Sequence, residues 1–285
     1  MKIGLALGSG GARGLAHIGV LKALRERNIQ IKYISGSSMG AFVGAVYAAT
    51  ESIERLENMS ADFTWRKMFR LFMPSLPKAG LIDAAKITQL LEENLLFDTF
   101  AELKIPLAID TTDIERGDLI THTSGNLIEA VRASISIPII FQPAEIDGKI
   151  LVDGGLVSPV PVNTVREMGA DYVIAINVLD KNKSWMRADK IRKQLEPEEP
   201  SNFRQLLKRI NLDDKIPERR TTRERNLSML MVIAQTVGIT ISMMADYQLQ
   251  VEKPDLLIQP DTRKINVYDF HRGEDVIPAA YELTN

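Results

Sequence analysis

The chain has 285 residues, 45% hydrophobic and 25% charged, with a formal net charge of −2. That length suits one large α/β domain with a sizeable core, and that balance excludes a disordered chain and gives no electrostatic reason to expect a nucleic-acid partner. The absence of cysteine excludes disulfides and thiol catalysis and fits a cytosolic protein, and the opening apolar run at 3–7 is too short for a signal peptide.

Ile3-Gly4-Leu5-Ala6-Leu7 reads as a short buried strand. It runs into Gly8-Ser9-Gly10-Gly11-Ala12-Arg13-Gly14, and a helix is predicted over about 15–27. Strand, glycine loop and helix N-terminus in succession bind negative charge through backbone N–H groups. The ligand is either a nucleotide phosphate or the oxyanion of an acyl-transfer intermediate. The dinucleotide fingerprint fails, because Arg13 stands at the third glycine position and no acidic residue ends the next strand. The P-loop fails for want of Gly-Lys-Ser/Thr. An oxyanion hole is the better reading, with the N–H groups of Gly10 and Gly11 as leading donors and that of Met39 as a third. Arg13 either adds positive potential at this loop or packs it through an ion pair.

The second strand, 31–35, ends in Gly36-Ser37-Ser38-Met39-Gly40, and a helix rich in small residues follows over 39–49. G-x-S-x-G between a strand and a helix is the pattern of a nucleophile elbow. A sharp turn exposes the middle serine at the positive end of a helix, and the flanking glycines remove Cβ atoms that would clash. The plainer alternative is a glycine-tolerant turn whose Ser38 caps the helix. After a helical and looped region over 51–104 come strands at 107–111 and 119–123, a helix at 127–134 and a strand at 149–152. Asp153-Gly154-Gly155 then either presents a carboxylate at the end of that strand or is an ordinary Asp-Gly turn. A helix at 162–168 and a strand at 172–178 follow. Strands alternating with helices predict an α/β fold, a mostly parallel sheet with helices on both faces in three layers, α/β/α. Gly10, Ser38 and Asp153 then fall at the C-terminal ends of strands, where such sheets place their sites.

A nucleophilic serine needs a base. His17 shares a helix face with Val20, Leu21 and Leu24 and reads as a core residue; His122 sits in a strand. The order Ser38…Asp153…His271 matches that of the α/β-hydrolases, but nothing around His271 resembles a positioned loop after a strand. No H-E-x-x-H or histidine cluster calls for a metal.

Residues 180–225 carry fourteen Lys and Arg against nine Asp and Glu, and read as a charged excursion from the sheet. Within it, 203–210 places Phe203, Leu206, Leu207 and Ile210 on one helical face beside Arg204, Lys208 and Arg209. The stretch 65–73 mixes large apolar residues with cations in the same way. Both suit either a lipid interface or a helix packed on protein. From Asn226 to Ala245 no charge appears, a length sufficient to span a bilayer. The polar residues Ser228, Gln235 and Ser242, seven apart, instead predict a helix buried on most sides in a soluble core. A strand at 255–259 and a short C-terminal helix close the chain.

The three motifs at 8–14, 36–40 and 153–155, in this order, resemble those of the patatin-like phospholipases, most closely the small bacterial members related to neuropathy target esterase. Arg132-Ala133-Ser134-Ile135-Ser136-Ile137-Pro138 with Phe141-Gln142-Pro143 is similar to the family's segment before its catalytic aspartate, and 157–162 and 169–176 to the segments after it. The likeness covers about 1–180 well and 254–260 weakly. The family often has three consecutive glycines where Ser9 holds the first place here. The resemblance implies one patatin-like domain over 1–285 acting as a serine acyl hydrolase on phospholipid or lysophospholipid esters. Ser38 is then the nucleophile and Asp153 the base of a two-residue dyad. Gly10, Gly11, Arg13 and Met39 form the oxyanion hole, and neither cofactor nor metal is needed. An acyltransferase using the same acyl-enzyme, or a non-catalytic lipid-binding module, remains open. Further expectations are a cytoplasmic protein, peripheral contact with the inner membrane face through 65–73 and 203–210, a homodimer, and no nucleic acid.

Overall fold

The first strand, β1 (Ile3–Leu7), is apolar at every position because a helix layer covers each of its faces. Its side chains alternate: Leu5 and Leu7 enter one core, Ala6 the other. The computed structural model describes residues 1–64, 66–67, 84–179 and 229–285. The excursion at 180–225 and the stretch 203–210 lie outside the described residues, as does 65–73 apart from Arg66 and Lys67; Lys67 pairs with Glu93 at 3.1 Å on the surface.

The remaining elements, in chain order, are α1 (Ala16–Glu26), entered through a 3-10 turn at Gly11–Leu15, β2 (Ile31–Ser37), α2 (Met39–Thr50), α3 (Ile53–Asp62), α4 (Ala84–Asn94), β3 (Leu107–Asp113), β4 (Leu119–His122) and α5 (Leu127–Ser134). Then come β5 (Ala144–Ile146), β6 (Lys149–Asp153), α6 (Val162–Glu167), β7 (Tyr172–Ile176), α7 (Met229–Glu252), β8 (Leu256–Ile258) and α8 (Gly273–Thr284). The fold is α/β, an eight-stranded mixed sheet between two helical layers among the described residues. The larger core gathers α1 to α5 and α8 on one face, and the smaller gathers α6 and α7 on the other.

Strands β2, β1, β7 and β8 run parallel, and β3 joins parallel to β2. Beyond β2 the sheet changes character, because β4 and β6 both pair antiparallel with β3. β4 occupies one edge of β3 along 109–112, so β2 and β6 must share the other edge. β2 climbs that edge until Ser37 faces Asp110, and β6 descends it until Asp153 faces Thr111. The two strands therefore end nose to nose on consecutive residues of β3. Asp153 stands at the C-terminal end of a strand, where the sequence puts it. It ends an antiparallel one, and reaches the level of Ser38 because β3 runs three residues past the end of β2.

Strand β5 is absent from the sequence reading, being only three residues long. Its signal was Asp147-Gly148, both at positive φ (51° and 73°), the two-residue turn that closes a hairpin with β6. The expectation of a helix buried on most sides after 226 is also corrected. Among the described residues of α7 a narrow face, with Gly238, Ile241, Ala245 and Gln248, is buried. Among the described residues α7 packs on the sheet side, and Val232, Ile239, Met243 and Tyr247 are exposed. Among the described residues no helix is long and apolar enough to cross a membrane.

Candidate active site

The turn from β2 into α2 brings helix and sheet backbones into contact. A Cβ at Gly40 would stand 2.1 Å from Leu7 O, so only glycine lets the first turn of α2 sit against β1. Ser38 takes up the strain of this turn, with φ 55° and ψ −124°, a conformation costly for a residue bearing a Cβ. Its N–H is held by Ser134 Oγ at 2.9 Å, and its carbonyl accepts the N–H groups of Ala41 and Phe42. The side chain points to Asp153: Ser38 Oγ donates to Oδ2 at 2.5 Å.

Asp153 is held at every polar atom. Its N–H donates to Ser136 O, its carbonyl accepts from Thr112 Oγ1 at 2.9 Å, and Oδ1 accepts the Gly155 N–H at 2.7 Å. Burial is almost complete, and it pushes the carboxyl up from 3.8 to about 7, against the opposing pull of the Ser38 and Gly155 hydrogen bonds. A group with that affinity is a far better proton acceptor at neutral pH than an ordinary carboxylate. Behind the Ser38–Asp153 pair lies a second buried carboxylate, Asp110, which accepts hydroxyl hydrogen bonds from Ser158, Thr164 and Thr121. It ties β3 to β4, to the turn after Asp153 and to α6; burial also raises its affinity for a proton.

The glycine loop is braced from several sides. Gly8 N–H donates to Ile176 O, Ser9 N–H to Pro159 O, and Ala12 N–H to Val267 O. Gly11 adopts φ 56°, and a Cβ there would lie 2.6 Å from Val267 O. Among the described residues the N–H groups of Gly10 and Gly11 have no acceptor, nor has that of Met39 at the start of α2. Arg13 is placed differently. Its N–H donates to Gly10 O and its buried guanidinium donates from Nε to Ile265 O, binding the loop to the C-terminal segment.

The three histidines are placed otherwise. His17 is fully buried and donates from Nε2 to Gly8 O at 2.8 Å; burial lowers its pKa to about 4, so it is neutral. His122 bonds Thr111 Oγ1 at 3.0 Å, and His271 is on the surface. The titratable side chain hydrogen-bonded to Ser38 is Asp153.

Ser38, Met39 and Gly11 open onto a narrow cleft, lined otherwise by apolar side chains such as Phe42, Phe63, Leu90, Ile135, Ile137 and Phe270. Phe63 packs edge-on to Phe270, joining the end of α3 to the C-terminal segment. Nothing in the sequence marks Phe270 as a wall of the site. The serines of the 132–138 segment were visible in the sequence but carried no role there.

A family profile described as patatin-like phospholipase matches residues 5–166. An uncharacterised NTE family protein of Mycobacterium bovis is 41% identical over 177 residues, which is 62% of this chain and 49% of that protein. Patatin-like phospholipase domain-containing protein 6 of Homo sapiens is 34% identical over 184 residues, 62% of this chain and 13% of that one. The chain thus spans about half the length of the first and a smaller part of the second. The crystal structure of VipD from Legionella pneumophila overlaps 95% of this chain and 73% of its own, at a TM-score of 0.42 and 13% identity. The profile covers more than half of the sequence, and the chain belongs to the patatin-like phospholipase family.

Proposed function

We propose that the chain hydrolyses carboxylic esters of phospholipids or lysophospholipids through Ser38 and Asp153. The observation that carries this reading is the 2.5 Å hydrogen bond from Ser38 Oγ to a buried carboxylate at the mouth of an apolar cleft. The fatty acyl chain lies in the cleft and sets its carbonyl beside Ser38. Oγ attacks the carbonyl carbon while its proton passes to Asp153 Oδ2. Negative charge that gathers on the carbonyl oxygen is met by the N–H groups of Gly10 and Gly11, with Met39 at the positive end of α2 as a further donor. Arg13 supports this loop by packing it. The intermediate collapses to an acyl-enzyme as the protonated Asp153 returns its proton to the leaving alkoxide. Water then loses a proton to Asp153 and attacks the acyl carbon, releasing fatty acid and restoring the Ser38 hydroxyl.

The test is a panel of acyl esters and phospholipids with wild-type protein and Ser38→Ala. Turnover that disappears in Ser38→Ala supports the reading. Turnover that survives in Ser38→Ala refutes it, and product that forms only when an alcohol or thiol acceptor is added identifies a transferase.

A further inference from the structure

The four residues 134–137, where α5 ends, alternate in an inverted sense. The serines are buried and the isoleucines are half-exposed: Ser134 is 0% and Ser136 2% accessible, while Ile135 and Ile137 line the cleft. Fully buried polar residues beside apolar ones that are only partly buried are the informative departure from ordinary packing. Each serine holds one member of the dyad by its backbone. Ser134 Oγ accepts the Ser38 N–H at 2.9 Å and donates onward to Asp110 O at 2.7 Å. Ser136 O accepts the Asp153 N–H at 3.0 Å, and its hydroxyl is committed to the carbonyls of Arg132 and Gln142. Two residues further on, Ile139 sits at φ 77°, an unfavourable region for a β-branched residue, so this stretch is held in place by its surroundings rather than by its own preference.

We propose that residues 134–137 act as a bracket that couples acyl-chain occupancy of the cleft to the geometry of the dyad. An acyl chain that packs on Ile135 and Ile137 immobilises the segment, and with it the backbone of Ser38 on one side and of Asp153 on the other. Ser134 is thus a positioning residue, acting through the main chain of Ser38. Binding energy from the unreactive end of the substrate is then expressed at the reacting end, and selection for chain length appears in kcat as well as in KM. A short acyl group leaves the isoleucine wall uncovered and the bracket without that added restraint. The proposal rests on the hydrolase reading of the same site.

The test measures kcat and KM for acetate, butyrate, hexanoate and octanoate esters of p-nitrophenol, with wild type, Ser134→Ala, Ser134→Thr and Ser38→Ala. In wild type kcat should rise along the series by roughly two- to tenfold, the worth of one hydrogen bond of ordinary net strength. In Ser134→Ala that rise should flatten while KM still falls with chain length, because the isoleucine wall remains. Ser134→Thr keeps the hydroxyl and should restore the rise. A Ser134→Ala protein whose kcat climbs as steeply as wild type overturns the coupling and leaves the hydrolase reading standing. So does a wild-type kcat that is flat along the series. Hydrolysis that is absent in wild type, or that persists in Ser38→Ala, removes the hydrolase reading and the coupling with it. If Ser134→Ala does not fold, Ile137→Ala reads the other half of the bracket. Its octanoate kcat should drop towards its own acetate kcat, and an undiminished ratio overturns the proposal.

Discussion

Replacing Asp153 by Asn should make the protein more stable at neutral pH while abolishing its chemistry. The folded protein raises this carboxyl from 3.8 to about 7 by burying it. Between those values the folded state keeps a proton on Asp153 that the unfolded chain has lost. Unfolding free energy therefore falls as pH rises through this window, by about 1.4 kcal/mol per pH unit from this group alone. Above about 7 both states are ionised, and the accumulated penalty, roughly 4 kcal/mol as an upper figure, stays constant. Asn never ionises. Its Oδ1 can still accept the Gly155 N–H, and its amide can donate to Ser38 Oγ. The variant and wild type should therefore be similar in stability near pH 4, and the variant ahead by roughly 2–4 kcal/mol near pH 8. Urea unfolding of both proteins across this range measures the gap, and titrations common to both, including that of buried Asp110, largely cancel in the difference. A gap that does not widen with pH would mean that Asp153 is ionised in the folded state throughout, and the argument from burial would fail. On an acyl ester, kcat of the variant should drop by at least about 10²-fold, the scale for loss of a general base.

The same carboxyl sets the pH profile: kcat/KM should fall about tenfold per pH unit below roughly pH 7, because the base must be ionised to accept the Ser38 proton. A plateau that persists down to about pH 5 would assign that role to a group with an ordinary carboxylate affinity. Gly11→Ala forces a Cβ to within 2.6 Å of Val267 O at a left-handed backbone position. If the protein remains folded by circular dichroism, kcat and the rate of Ser38 labelling by a fluorophosphonate should both fall by about 10²–10³. Unchanged labelling would move the oxyanion donors elsewhere. His271→Ala should keep most of the esterase activity, and a loss as deep as that of Asp153→Asn in a folded protein would replace the dyad by a triad.

The order of elements and the two glycine-marked turns were legible in the sequence because their causes are local. Gly36 and Gly40 stand where a Cβ would strike backbone, and the all-apolar run of β1 states that both its faces are covered. Periodicity likewise found α5 to the residue and placed His17 in the core. Of Gly10, Gly11, Arg13, Met39, Ser38 and Asp153, every one stands at or beside the cleft or its bracing loop. The sequence could not tell the loop's unengaged donors from Arg13, whose N–H turns back onto Gly10 O. That distinction depends on where the 3-10 turn at Gly11–Leu15 begins, since Arg13 lies inside it and Gly10 and Gly11 at its start.

The remaining features depend on groups far apart in the chain. Ser38 and Asp153 are 115 positions apart, and they meet because an antiparallel strand descends the edge of β3 that β2 has just left. A pattern of alternating strands and helices carries no record of that reversal. The exposed face of α7 was misread for a related reason: an apolar helix looks the same in sequence whether one side or every side of it is covered. Residues 134–137 show the limit most clearly, since serine next to isoleucine says nothing of which faces a cleft and which faces a strained peptide. The sequence determined which residues are candidates for the chemistry and which turns present them. The tertiary structure alone decided the proton affinity of Asp153, because desolvation is produced by everything packed around a group and by nothing within it.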